Sequence, residues 1–262
     1  MRTFSLFVAT AMLVAPQAPA MAWGAIGHRV TGALAEDNLD GVARAHVRLI
    51  LGEETLAQAA TWPDEQRSNP SEFWQKTASP WHYVTVPTGT PYTTALAPAE
   101  GDAVTALNRF TATLRNPAAS LEEKRLALRF MVHIIGDLHQ PLHAGRPGDR
   151  GGNTVTVTWF GKPTNLHAVW DSAMIDDRQV SFTEQASWLK HAMTPEQVIA
   201  WSDIHPATWI AESARLRETI YPADPALSYV YAYTHRQTVD QRLSMAGVRI
   251  AAYLNWVFRQ DS

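Results

Sequence analysis

A mainly α fold in a single compact domain, with a small β element, follows from three features of the sequence. Apolar residues recur at helical spacing through most of the 262 residues, strand-like alternation is confined to two short runs, and no linker or internal repeat divides the chain. Hydrophobic residues make up 46% and charged residues 18%, which is enough apolar material for a sizeable core and too much for a disordered chain.

Residues 1–22 read as a secretory signal peptide. Arg2 supplies a short positive start, and Phe4 to Val14 is apolar but too short to span a membrane as a helix. Ala18-Pro-Ala20 and Ala20-Met-Ala22 are both cleavage patterns of small residues. Cleavage after Ala22 would leave Trp23 first and 23–262 as the folded domain.

Within that domain, Ile26 to Leu39 is periodic, as is Val42 to Leu51, which stops at Gly52. The Pro, Gly and Thr residues of 87–99 predict a surface loop. Asp102 to Leu114 is amphipathic and ends at Asn116-Pro117. Ser120, with Glu123 three residues on, caps a long helix running to about Leu138, ahead of Pro141. Leu166 to Ile175, Pro195 to Arg217 and Pro225 to Phe258 also predict helix. The two strand-like runs are His82 to Val86, ended by Pro87, and Thr154 to Phe160 behind Gly151-Gly152.

Composition narrows the function. The formal net charge is −3 and no basic stripe is present, so a Lys/Arg surface cannot be what holds a polyanion. The chain has no cysteine, and its one near match to a glycosylation site, Asn69-Pro70-Ser71, is blocked by proline. An exported chain without disulfides points to a bacterial periplasmic or secreted protein in which bound metal could supply the missing staples.

The stretch "HIIGDLHQPLH", His133 to His143, sets three imidazoles and a carboxylate among apolar residues. Burying them needs a partner, and a metal would serve. His133 and Asp137 are four apart, hence on one helical face at about 5–6 Å. His167 and Asp171 repeat that spacing in "HAVWD". His143 follows Pro141 in a segment able to fold back. Nitrogen and carboxylate donors without thiolate suit zinc in open, hydrolytic sites. Upstream, Asp64 in "WPDEQR", His82 in "WHYV" and His28 in "WGAIGHRV" are further candidates, and a free Trp23 amine would add another nitrogen ligand. Taken singly, these residues also fit a helix cap, a core histidine and a surface histidine. His139, six residues from His133, leaves that helical face and reads as an outer or surface residue, not a ligand.

These motifs, together with "GGN", stand in the order seen in the S1/P1 nuclease family, and on them the chain is identified as a member of it. The resemblance implies the helical fold shared by P1 nuclease and zinc phospholipase C, with three zinc ions. Asp64, His82, His133 and Asp137 resemble the ligands of one. The Trp23 amine and carbonyl oxygen, His28 and a shared Asp137 resemble the second set, and His143, His167 and Asp171 the third. Asp64, Asp137 and Arg67 resemble catalytic residues, Arg67 as the family's phosphate-stabilising arginine. Tyr83 resembles the family's base-stacking aromatic and Asn153 a substrate-site asparagine. Thr85 stands where the family often has a base-reading aspartate, which puts base preference in doubt.

The implied function is a secreted or periplasmic zinc nuclease, monomeric and without a membrane partner. It would cut single-stranded DNA and RNA to 5′-phosphorylated products and also remove 3′-phosphates from nucleotides. Zinc phospholipase C and a non-catalytic periplasmic zinc-binding protein are the alternatives. The short Trp23 to His28 spacing and Arg67 resemble the nuclease branch.

Overall fold

A computed structural model describes residues 23–259, so the leader peptide expected over 1–22 lies outside the described residues. The frame is set by helices whose ends are written locally. α1 spans Ala25–Asn38 and α2 Gly41–Leu51. The Asp40 side chain caps α2 by accepting from Ala43 N–H, and Gly52 closes it at φ 70°. α3, Leu56–Glu65, begins with a Thr55/Gln58 capping box. α4, Ala103–Arg115, is capped by Asp102, and α5, Leu121–Asp137, by the expected Ser120/Glu123 box.

The β element is small. β1, Val84–Thr85, pairs in parallel with β2, Ala144–Gly145. β3, Thr156–Trp159, pairs antiparallel with β4, Lys162–Asn165, and in parallel with β5, Ala226–Leu227. Between and after these strands, α6, Leu166–Ala168, runs through a π turn, Val169–Ala173, into α7, Met174–Asp176. α8, Phe182–Ala192, α9, Pro195–Trp201, α10, Pro206–Ile220, and the long α11, Tyr229–Phe258, complete the domain.

Several boundaries differ from expectation. The single helix expected over Pro195 to Arg217 is two, because Pro206 offers no N–H and drives His205 to an extended φ −98°, ψ 110°. The helix expected from Pro225 opens instead as β5, which the edge of β3 recruits through long-range pairing. His82 closes a 3₁₀ turn, Ser79–His82, so only two residues of the expected strand pair. Pro63 lies inside the last turn of α3, which carries Asp64 on the helix. α8 was not anticipated, although Ser181 and Glu184 form a capping box at its start.

α1 runs between two apolar clusters. Its Ala35 joins the cluster around α2 to α5 and the C-terminal half of α11, while Val30 and Leu34 join the one around β3 and α6 to α8. Close approach is bought by glycine at two points. A Cβ on Gly247 of α11 would overlap Leu34, and one on Gly136 of α5 would press on His28 Nδ1 at 3.2 Å. The second contact brings α1 against the polar end of α5. Among the described residues no helix is long and apolar enough to cross a membrane.

Candidate metal centre

α1, α3 and α5 converge on a buried set of imidazoles and carboxylates. α1 brings His28, α3 brings Asp64 from its last turn, and α5 brings His133 and Asp137. The 3₁₀ turn before β1 adds His82. His133 Nε2 lies 3.0 Å from Asp137 Oδ2 and 3.7 Å from Asp64 Oδ1. His82 Nδ1 lies 2.7 Å from His133 Nε2 and 3.3 Å from Asp137 Oδ2. His28 Nε2 approaches the other oxygen of Asp137 at 3.2 Å, and its ring stacks on His133 with centroids 4.0 Å apart. Asp137 therefore turns one oxygen toward His28 and the other toward His82 and His133.

A third group sits nearby. His143, in a 3₁₀ turn Pro141–His143, meets His167 and Asp171 from the α6 to α7 segment. His167 Nε2 is 2.9 Å from Asp171 Oδ2, and His143 Nε2 is 3.8 Å from Asp171 Oδ1. Ligand atoms within 4.8 Å of one another thus form three groups that could hold metal: His28, His133 and Asp137; Asp64, His82 and His133; His143, His167 and Asp171.

The surrounding backbone fixes how these rings face. His133 Nδ1 donates to Ala60 O at 2.7 Å, His143 Nδ1 to His82 O at 2.7 Å, and His167 Nδ1 to Gly151 O at 2.6 Å. Each such bond leaves Nε2 as a lone-pair donor directed into the cluster. Gln140, which sequence reasoning did not single out, donates Nε2–H to Asp171 Oδ1 and accepts from Leu142 N–H. Trp23 is fully buried and its indole N–H donates to Gly136 O at 2.9 Å, one residue before Asp137.

The donor set fits zinc. His28 Nδ1 and Nε2, Asp64 Oδ2, Asp137 Oδ1, His143 Nε2 and Asp171 Oδ2 are buried with no hydrogen-bond partner. Leaving that many buried polar atoms unpaired costs on the order of 1–3 kcal/mol each, a cost that bound cations remove. Electrostatics agree. Burial, then His133, holds His28 well below its ordinary value; burial, then Arg67, does the same for His82; burial, then His167, for His143. Burial pushes Asp137 up to about 7 against the pull of His133, and raises Asp171 too. Burial also opposes charge on His133 and His167, but Asp137 and Asp64 in one case and Asp171 in the other outweigh it and raise both.

His139 is neither a ligand candidate nor a surface residue. It is fully buried, its Nδ1 donates to Ile135 O, and its Nε2 accepts from Arg249 at 3.1 Å.

The centre opens to a cleft of about 390 Å³ whose walls include Arg67, Trp74, Tyr83, His82, His143, His167, Arg150 and Asn153. Arg67, in the turn after α3, sets Nε 2.9 Å from Asp64 Oδ1. Tyr83 is 44% exposed. Asn153 donates Nδ2–H to Arg150 O. Thr85 is exposed on β1 and does not line the cleft. Trp74 and Gln75 line it without having been anticipated, because nothing in their local sequence distinguishes them from surface polar and aromatic residues.

Fold and site together define a helical protein built around cysteine-free groups of histidine and aspartate that could hold metal ions at the base of a cleft. The chain belongs to the S1/P1 nuclease family, whose sequence model matches residues 23–259. It is 30% identical to endonuclease 4 of Arabidopsis thaliana, over 91% of this chain and 90% of that protein. Nuclease S1 of Aspergillus oryzae is 26% identical over 92% and 93% of the two chains, and nuclease P1 of Penicillium citrinum 27% over 89% and 97%.

Proposed function

We propose that this protein is a zinc-dependent nuclease hydrolysing phosphodiester bonds of single-stranded DNA and RNA, with three zinc ions at the base of the cleft. The observation that carries the reading is the set of buried, unpaired nitrogen and oxygen donors beneath a cleft walled by an arginine and a half-exposed aromatic ring. Family membership and relatives named as nucleases support it. Asp64, His82, His133 and Asp137 would hold one zinc. Trp23, His28 and Asp137 would hold the second, and His143, His167 and Asp171 the third. When bound, zinc supplies Lewis acidity toward phosphate oxygens and makes water more acidic.

The chain's own residues do the rest. Ala60, His82 and Gly151 carbonyls fix the tautomers of His133, His143 and His167, so the donor atoms are oriented before substrate arrives. Asp137 spans two groups and keeps them together. Arg67, held by Asp64, presents a guanidinium toward phosphate and stabilises charge that grows in the transition state. Tyr83 offers its ring to a base, and Asn153 a side-chain amide to the substrate backbone. Trp23 contributes its amine once a leader is removed, which also makes the protein an exported one. The same site accepts the 3′-phosphate of a nucleotide.

The test offers purified mature protein single-stranded DNA, RNA, duplex DNA, a 3′-nucleotide and phosphatidylcholine, with and without chelator. Chelator-sensitive cleavage of single strands to 5′-phosphorylated ends is expected, with duplex a poor substrate because its bases are already stacked. Lipid hydrolysis that outpaces nucleic acid cleavage would overturn the reading in favour of a phospholipase, and zinc binding without turnover in favour of a binding protein.

A further inference from the structure

The loop between β2 and β3 holds an arginine in an unusual backbone state. Arg150 has φ 53°, in the left-handed region that a side-chain-bearing residue rarely adopts, between Gly148 at φ 94° and Gly151 at φ 62°. The conformation is imposed by the neighbouring aspartate. Asp149 Oδ1 accepts from Gly151 N–H at 3.0 Å, while Asp149 Oδ2 accepts from Arg146 Nε at 3.0 Å and from the Tyr221 hydroxyl. Arg146 also lies over the Tyr221 ring at 3.8 Å. On the far side of the turn, the Arg150 carbonyl accepts from both the N–H and the Nδ2–H of Asn153. The same loop orients the metal centre, since Gly151 O takes the Nδ1–H of His167.

Arg150 is exposed, lines the cleft, and makes no hydrogen bond or ion pair through its guanidinium to any other described residue. The aspartate that precedes it, Asp149, is used by Arg146, Tyr221 and Gly151. A backbone strain of this kind costs on the order of 1–3 kcal/mol and persists only where its surroundings enforce it. A glycine at position 150 would carry the same turn without that cost.

We propose that Arg150 forms a second phosphate-binding position, which grips a phosphodiester of the single strand next to the one held over the metal centre. The inference rests on the nuclease reading and adds a residue to it. The chain is acidic overall, so each cation in the cleft counts toward holding a polyanion. A guanidinium suits a phosphate because it can donate two parallel hydrogen bonds to it. The position gives an advantage only to substrates long enough to reach it.

The experiment compares wild type, Arg150→Gly, Arg150→Lys and, as a control for lost charge, Arg48→Ala on the outer surface of α2. Zinc content is measured first, then kcat/KM for an oligothymidylate and for a dinucleotide at a series of salt concentrations. Arg150→Gly is expected to fold at least as stably as wild type. It should raise KM for the oligomer several-fold more than for the dinucleotide, and flatten the plot of log kcat/KM against log salt by about 0.7, the slope of one phosphate contact to a single strand. Arg150→Lys should keep most of the slope, and Arg48→Ala all of it. Unchanged slope and unchanged preference for the oligomer in Arg150→Gly, with wild type active, would overturn this proposal alone. Absence of zinc-dependent cleavage by wild type would overturn the nuclease reading and this one with it.

Discussion

His133 and His139 make the same bond with opposite consequences. Each sets Nδ1 2.7 Å from a backbone carbonyl, that of Ala60 for His133 and of Ile135 for His139, and each is fully buried. His133 Nε2 then faces Asp137 at 3.0 Å and belongs to two candidate metal groups. His139 Nε2 meets Arg249, which with Arg242 is paired to Glu212. What faces the second nitrogen decides whether a buried histidine is a ligand or a structural post.

That difference predicts how two substitutions diverge. Asp137→Asn removes the charge shared between two groups, and should cut zinc content and lower activity by orders of magnitude. His139→Ala leaves a buried guanidinium short of a partner and should cost about 1–3 kcal/mol of stability while zinc content holds. Elemental analysis and thermal melts read both; equal zinc loss from the two changes would show that the helix faces are wrongly assigned.

Removing metal should destabilise the whole domain. The candidate ligands come from α1, α3, α5 and the α6 to α7 segment, so bound zinc would tie together elements that otherwise bring uncompensated polar atoms. A single site at a thousandfold excess of free zinc over its Kd contributes about 4 kcal/mol. Melting with and without chelator checks this. An unchanged Tm after confirmed zinc loss counts against it.

Zinc uptake should release more protons at pH 6 than at pH 8. With Asp137 pushed up to about 7 by burial, metal-free protein at pH 6 holds a proton there that zinc must displace, and by pH 8 that proton has already gone. His133 and His167, both raised, act in the same direction. His28, His82 and His143, held down chiefly by burial, are already neutral and add none. Titration calorimetry in two buffers of different ionisation enthalpy counts the protons. Equal counts at the two pH values would contradict the assignment.

Tyr83→Ala should weaken single-stranded DNA binding by about 1–3 kcal/mol, and Tyr83→Phe should be nearly silent, because the ring and not the hydroxyl stacks. Relative KM values for oligonucleotides measure it. An unaffected Tyr83→Ala removes the aromatic from the substrate site.

An N-terminal extension should impair the enzyme. Two residues added before Trp23 turn its amine into an amide, a poor ligand, while the indole can still anchor on Gly136. Comparison with protein starting at Trp23 should find less zinc and slower turnover. Parity in both would exclude the amine as a ligand.

Whatever depends on neighbours along the chain is legible in the sequence. Ser120 with Glu123 and Gly52 marked helix ends, and four-residue spacing placed His133 beside Asp137 and His167 beside Asp171, because the pitch of a helix makes such pairs neighbours. Their motifs also carried the family resemblance, and so the list of candidate ligands. Long-range packing sets what those residues meet. It continued a helix through Pro63 to carry Asp64 inward, turned His82 so that Nδ1 faces the cluster, recruited residues 226–227 to a strand edge, and set Arg249 against His139 from 110 residues away. Helical spacing is fixed by local backbone geometry, whereas these partners come from packing distant surfaces, and no local pattern records which surface arrives.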